Sequence, residues 1–551
     1  MSDVGVRWGR GRSVAMATST AFVVLAALAV PASAASTKSV STKQASQAQS
    51  GNQGQHGGWG DLSADLSSLD ATGTNYPVLD PGSLWTVTAA IGARSVWLQQ
   101  DATGRAVTGQ GVTVALLDSG VAAVPGLNGV GKVVQGPDLS LETNSAALRT
   151  LDTYGHGTHL AGIIAGHDPV STDGTGAPVL LTSPRSQLGV APDAQLLALK
   201  LATTDGSTDV SQVIAALDWV VQHKDDNGRH VRVVNLSFGT SSLQPYQLDP
   251  LAAAAENAWR HGLVVVVSAG NDGASSVSLT DPAIDPYVIA VGSSDPEGSV
   301  LGWRTPAVAA FSSRGSVARH ADLLAPGRSI VSLRDPGSFI DVNHPEGLVA
   351  GDSTGRLFRG SGTSQAAAVV SGSVALLLQA YPMLTPDQVK AALVGSARPV
   401  TGAAAVDAGA GEIDVAAALK AAATVPAATQ TWPRATGLGS LERARGGSHL
   451  VDPVTGATLS GEVDVQSKPW QPSVWAPAAA AGTAWSGGLW LGARWSGDSW
   501  SGANWTSVAW SGARWSGARW SDASWSGARW SGARWSGAFW DGARWSDDHW
   551  Y

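Results

Sequence analysis

Between residues 89 and 424 the chain alternates between two hydrophobic periods. Short runs that are apolar at almost every position cover 112–117, 195–201, 231–236, 263–267 and 287–291. Such runs, bounded by Gly, Asp, Asn and Ser, predict strands covered on both faces. Helical patterns lie between them. Over 209–223, Val210, Val213, Ile214, Leu217, Val220 and Val221 share one face, and Asp209 is placed to cap the first turn. A second helix is predicted over 251–261 and ends at Gly262. Strands of this kind alternating with helices predict an α/β fold, a mostly parallel, doubly wound sheet with helices on both faces. Functional side chains gather at the C-terminal ends of the strands in such sheets. Asp118, Ser237 and Asn271 stand at those ends.

The flanking stretches follow neither period. Residues 1–34 carry Arg7, Arg10 and Arg12, then ten apolar residues over 21–30, then Pro31 and Ala32-Ser33-Ala34. A basic start, a short apolar stretch and a small-residue cleavage site predict an export signal cut after Ala34. A membrane anchor would need about 20 apolar residues, so the expected product is secreted, with no stable membrane span after cleavage. Residues 35–88 are rich in Ser, Thr, Gln and Gly and predict a flexible leader or propeptide. Residues 425–484, rich in Pro, Ala and Gly, predict a linker with little core. From Trp485 to Trp550 every fifth residue is Trp, fourteen in all. The commonest unit is Trp-Ser-Gly-Ala-Arg, as in Trp510 to Arg514, and 485–551 forms a low-complexity repeat tail.

Composition narrows the functions open to the chain. The 551 residues carry a formal net charge of -8, which supplies no basic field for nucleic acid phosphates. The absence of Cys excludes disulfides, thiolate metal sites and a cysteine nucleophile. The repeat supplies fourteen of the 24 Trp, which are set against 6 Tyr and 6 Phe.

Candidate chemistry comes from residues far apart in the chain. His156 lies between Gly155 and Gly157, which let the backbone turn tightly beside the ring. Taken alone it is one of 11 His. Ser364 lies where the Gly-rich turn Gly360-Ser361-Gly362 enters an apolar, small-residue helix, and alone it reads more readily as a helix cap. Together they read differently. A hydroxyl needs a base to become a nucleophile, and imidazole titrates near neutral pH. The base needs an acceptor to fix its tautomer, a task for a strand-end carboxylate such as Asp118. The oxyanion needs a donor besides the Ser364 N–H, and Asn271 carries an amide.

Val114-Ala115-Leu116-Leu117-Asp118-Ser119-Gly120, Gly155-His156-Gly157-Thr158-His159, Ser268-Ala269-Gly270-Asn271 and Gly362-Thr363-Ser364 together resemble the motifs of the subtilisin-like serine proteases, in the same Asp, His, Ser order. The resemblance covers about 89–424. It implies a subtilisin-like fold and hydrolysis of peptide bonds in extended polypeptides. Asp118 would orient His156, His156 would act as base and then acid, Ser364 would be acylated, and Asn271 would assist the oxyanion. Ser237, Phe238 and Gly239 would pair with the substrate as an added strand. Ser268, Ala269 and Gly270 would wall the pocket for the side chain before the scissile bond. Ser119 stands where the family usually has Thr, Gln365 where it has Met, and Ala368 where it has Pro. The resemblance implies no required cofactor. It leaves structural calcium open, but the loops 168–176 and 335–355 show no ligand spacing and no metal ligand is named. His156 and His159 lack a third ligand for zinc.

The repeat keeps three readings. Its rings pack on one another or on the enzyme, with Arg stacked on Trp; or they stack on cell-wall sugars and tether the protein to a surface; or the tail is flexible and processed. In one continuous strand a period of five puts successive Trp on opposite faces.

Overall fold

The computed structural model describes residues 79–494 except 144, 146, 169–186, 351, 353, 452–457, 487 and 492, together with the backbone of Arg534–Trp535. The expected signal, most of the expected leader, most of the 168–176 loop and nearly all of the repeat lie outside the described residues.

The apolar runs form strands because each buries both faces. β1 (Thr113–Asp118) is buried at every position. β2 (Val133–Asp138), β3 (Gln195–Lys200), β4 (Val231–Leu236), β5 (Phe238–Gly239), β6 (Val264–Ser268), β7 (Ile289–Asp295), β8 (Ala307–Val308) and β9 (Leu323–Pro326) follow. The main sheet runs β2-β3-β1-β4-β6-β7, with β8 antiparallel and β9 parallel to β7. All its other pairings are parallel. β1 lies between β3 and β4, where the winding reverses direction, so Asp118 ends the strand at the topological switch point.

Four helices cover the sheet. α1 (His156–Ala165) and α4 (Thr363–Ala380) pack on each other, and α4 crosses β4, β6 and β7. α2 (Val210–His223) and α3 (Pro250–Arg260) pack together and against β1 and β6, respectively. Asp209 caps α2 in a capping box with Gln212, as its position predicts. α4 is long and apolar enough to cross a membrane, but 94% of that window is buried inside the fold. A hairpin of β10 (Ile330–Leu333) and β11 (Leu357–Gly360) leads into α4.

The structure corrects three expected boundaries. The leader does not reach residue 88, because the helix Leu84–Ala90 is wholly buried and Trp303 Nε1 donates to Pro81 O at 2.8 Å. The Ser- and Gln-rich residues before it hide this single apolar turn and a half. The expected linker carries core: Leu441, Leu450, Val465, Trp470 and Trp475 join the main cluster. Arg445 within it is fully buried and pairs with Asp209 at 2.7 Å. These large residues are spaced singly and show no period, yet the short helix Leu441–Arg445 docks on α2 and α3, and Pro472–Ala480 docks on α3.

The first repeat units also pack. Trp485–Ser486, Leu489–Trp490 and Ala493–Arg494 form an antiparallel meander. The chain turns between Ser486 and Leu489 and again between Trp490 and Ala493, so Trp485 and Trp490 become cross-strand partners instead of facing opposite sides. Trp485 Nε1 donates to Ala215 O at 2.8 Å, and Trp475 and Trp490 both donate to Asp218 Oδ2 at 2.8 Å.

Burial pushes the Asp218 carboxyl up to about 7, and the two indole donors oppose that rise. Its folded pKa lies above the unfolded one, so its contribution to stability is complete below about pH 4 and is lost as pH rises through 7. Asp218→Asn keeps an acceptor for the indoles and carries no charge. The variant should therefore melt above the native chain at pH 8, by a gap on the order of a few kcal/mol that closes towards pH 4. A pH series of thermal melts measures this, and a gap that does not grow with pH would contradict it.

Candidate active site

Asp118 is the last residue of β1 and is fully buried. Its Oδ1 accepts from His156 Nδ1 at 2.8 Å and from the Ser119 N–H at 2.8 Å. Burial raises the Asp118 carboxyl, and the neighbouring His156 opposes that rise. With Nδ1 donating to the carboxylate, Nε2 is left as the basic nitrogen.

His156 begins α1, and both glycines beside it are sterically required. Gly155 has φ 102°, and a Cβ there would lie 2.4 Å from Ser338 Oγ. A Cβ at Gly157 would lie 2.1 Å from Gly120 O and 3.2 Å from Asp118 Oδ1. The first turn of α1 thus touches the end of β1 closely enough for the side-chain bond.

Ser364 is the second residue of α4, in the first turn of the helix, where backbone N–H groups and the helix dipole favour negative charge. The turn before it is tied down: Ser361 Oγ accepts from Ser329 N at 2.8 Å, and Gly362 N donates to Gly327 O at 2.9 Å. His156, His159, Gly360 and Gln365, the residue after Ser364, line one pocket. His159 donates from Nε2 to Phe358 O at 3.2 Å, and burial pushes its pKa down to about 4, which keeps it neutral. Gln365, next to Ser364, is buried in that pocket. Ala368 lies within α4, which continues unbroken to Ala380.

Asn271 follows β6. Its Oδ1 accepts from Thr363 N at 2.9 Å and Thr363 Oγ1 at 3.0 Å. Those two donors fix the amide orientation, and Nδ2 is left buried without a partner beside the start of α4. Ser237 Oγ donates to Ser364 O at 3.4 Å and accepts from Asn235 Nδ2 at 3.1 Å. β4 ends at Leu236, and Phe238–Gly239 forms a separate strand, paired antiparallel with the backbone of Arg534–Trp535. Across from β5, Ser268, Ala269 and Gly270 form the end of β6 and its continuation. Thr280 fills the space between: a Cβ on Gly239 would meet Thr280 Oγ1 at 2.4 Å, and one on Gly270 would meet Thr280 Cγ2 at 2.8 Å.

The subtilase family model matches residues 109–439. The chain belongs to the subtilase family. It is 36% identical over 293 residues to the serine protease AprX of Bacillus subtilis, covering 52% of this chain and 61% of AprX. It is 32% identical over 288 residues to subtilisin BL of Lederbergia lenta, covering 52% of this chain and 83% of that protein. Among solved structures it is similar to fervidolysin from Fervidobacterium pennivorans, with TM-score 0.46 and 27% identity over 62% of this chain and 46% of that one. It is also similar to a cold adapted subtilisin-like serine proteinase, with TM-score 0.40 and 28% identity over 57% of this chain and 92% of that one.

Two residues beside these segments escape the sequence reading. Thr280 reaches the gap between Gly239 and Gly270 from a loop with no motif. Asp152 precedes the His helix by four residues and carries a helix-start signal, which the more conspicuous Gly155-His156-Gly157 obscures. Of the loop residues considered for calcium, Asp168 pairs with Arg356, and Asp352 accepts from the backbone of Thr354, Arg356 and Leu357.

Proposed function

We propose that this subtilase is a secreted serine endopeptidase acting on extended polypeptides. The observation that carries the reading is the buried 2.8 Å bond between His156 and Asp118, next to a helix start to which Asn271 offers an unpaired amide. Asp118 holds the imidazole and stabilises its protonated form. His156 takes the Ser364 Oγ proton as Oγ attacks the scissile carbonyl. The Ser364 N–H and Asn271 Nδ2 receive the oxyanion. His156 passes its proton to the leaving amine, and water hydrolyses the acyl-enzyme by the same steps reversed. No cofactor enters these steps.

An extended substrate adds a strand to β5, which supports such pairing because it already takes an antiparallel backbone strand. The side chain before the scissile bond enters between β5 and residues 268–270, above Thr280. The polar Gln365 borders the leaving-group side. Export through residues 1–34 and a surface or self-packing role for the repeat belong to the same proposal.

The purified chain should hydrolyse a denatured protein, and no release of peptides would overturn the reading. Asn271→Ala should lower kcat by roughly 10²–10³ with little change in KM. Steady-state kinetics check this, and an unchanged kcat would remove Asn271 from the oxyanion site.

A further inference from the structure

The residue after Asp118 does more than tolerate a family difference. Ser119 is fully buried, and its Oγ donates to Asp152 Oδ1 at 2.7 Å and accepts from the Gly157 N–H at 2.9 Å. The same Oγ lies 3.2 Å from Asp118 Oδ1. Asp152 Oδ1 also accepts from the Gly155 N–H, and Oδ2 from the Thr158 N–H, both at 2.7 Å. Three of the unpaired N–H groups at the start of α1 are therefore satisfied by two side chains that also grip the end of β1. His156 lies between the residues so held. Behind the pair, Lys200 Nζ anchors the same backbone, donating to Leu151 O at 2.7 Å and Ser119 O at 3.2 Å.

We propose that Ser119 and Asp152 are positioning residues, a clamp that fixes the first turn of α1 on the end of β1 and keeps His156 Nδ1 within hydrogen-bond reach of Asp118. The catalytic consequence rests on the peptidase reading; the clamp itself does not. Neither residue touches the reacting atoms. Each acts through the backbone at 155–158, where a shift near 1 Å costs turnover by about 10²-fold.

Three variants of the full chain test it. Ser119→Ala removes the hydroxyl, Ser119→Thr retains it, and Asp152→Asn leaves one oxygen and turns an amide donor against the donors at 155 and 158. Two readouts are taken. One is the kcat and KM split on a peptide substrate. The other is the low-field proton resonance of His156 Nδ1–H, recorded well below the melting temperature; it reports the bond to Asp118 whether or not the chain turns over. Ser119→Ala and Asp152→Asn should lower kcat by about 10- to 10²-fold with KM within about twofold, and should shift or broaden the resonance. Ser119→Thr should restore both. A native resonance and kcat in Ser119→Ala would overturn the clamp, as would equal impairment in Ser119→Thr. A native chain that shows the resonance but no hydrolysis would overturn the peptidase reading and leave the clamp standing. Should Ser119→Ala not fold, Asp152→Asn and Ser119→Thr carry the same decision.

Discussion

Replacing Ser364 by alanine is expected to lower peptide hydrolysis by about 10⁶-fold and to leave the fold intact. The change deletes the atom to which the proposed mechanism assigns the acyl bond. It should not disturb the scaffold, because α4 is held by contacts that the substitution keeps. Ser237 Oγ donates to the Ser364 backbone carbonyl, and Asn271 binds the neighbouring Thr363. Alanine also favours the helix more than serine does. Single-turnover kinetics with a chromogenic peptide, paired with a thermal melt, separate the two effects. Turnover within tenfold of the native chain would mean that another group is the nucleophile.

Asp118→Asn should cost about 10⁴-fold in kcat. The substitution nearly preserves shape in a fully buried site, so sterics do not explain the loss. Oδ1 now accepts both the Ser119 N–H and His156 Nδ1. An amide has one acceptor oxygen and one donor nitrogen, so it either turns its NH₂ towards the ring or gives up part of this pairing. In the first case the imidazole is held in the wrong tautomer, and in both it loses the charge that stabilises its protonated form. Measuring kcat across pH tests this. A native-like profile would show that Asp118 serves the fold and not His156.

What the sequence made legible follows from where the information resides. The strands at β1, β4 and β6 announce themselves because burial on both faces leaves no polar position within 114–117 or 264–267. The His and Ser segments stand out because a tight approach needs Gly155 and Gly157 beside His156 and Gly360 before the turn to Ser364. The packed segment 441–475 does not stand out, since its partners on α2 and α3 lie more than 170 residues away and no local period records them. The clamp was half visible. Ser119 reads as a small change from Thr, and only coordinates show that its hydroxyl joins Asp152 to Gly157. The repeat illustrates the converse. Its period is unmistakable, but whether a period of five means opposite faces or adjacent partners depends on where the chain turns, and between Trp485 and Trp490 a turn makes them partners.

The most direct test treats the full chain with a fluorophosphonate and maps the adduct by mass spectrometry. Formation of the Oγ–phosphorus bond expels fluoride and requires His156 to take the serine proton. The expected result is one adduct per chain, on Ser364, forming orders of magnitude more slowly in His156→Ala. No adduct at Ser364, or the same labelling rate without the imidazole, would contradict an activated serine at the end of this sheet.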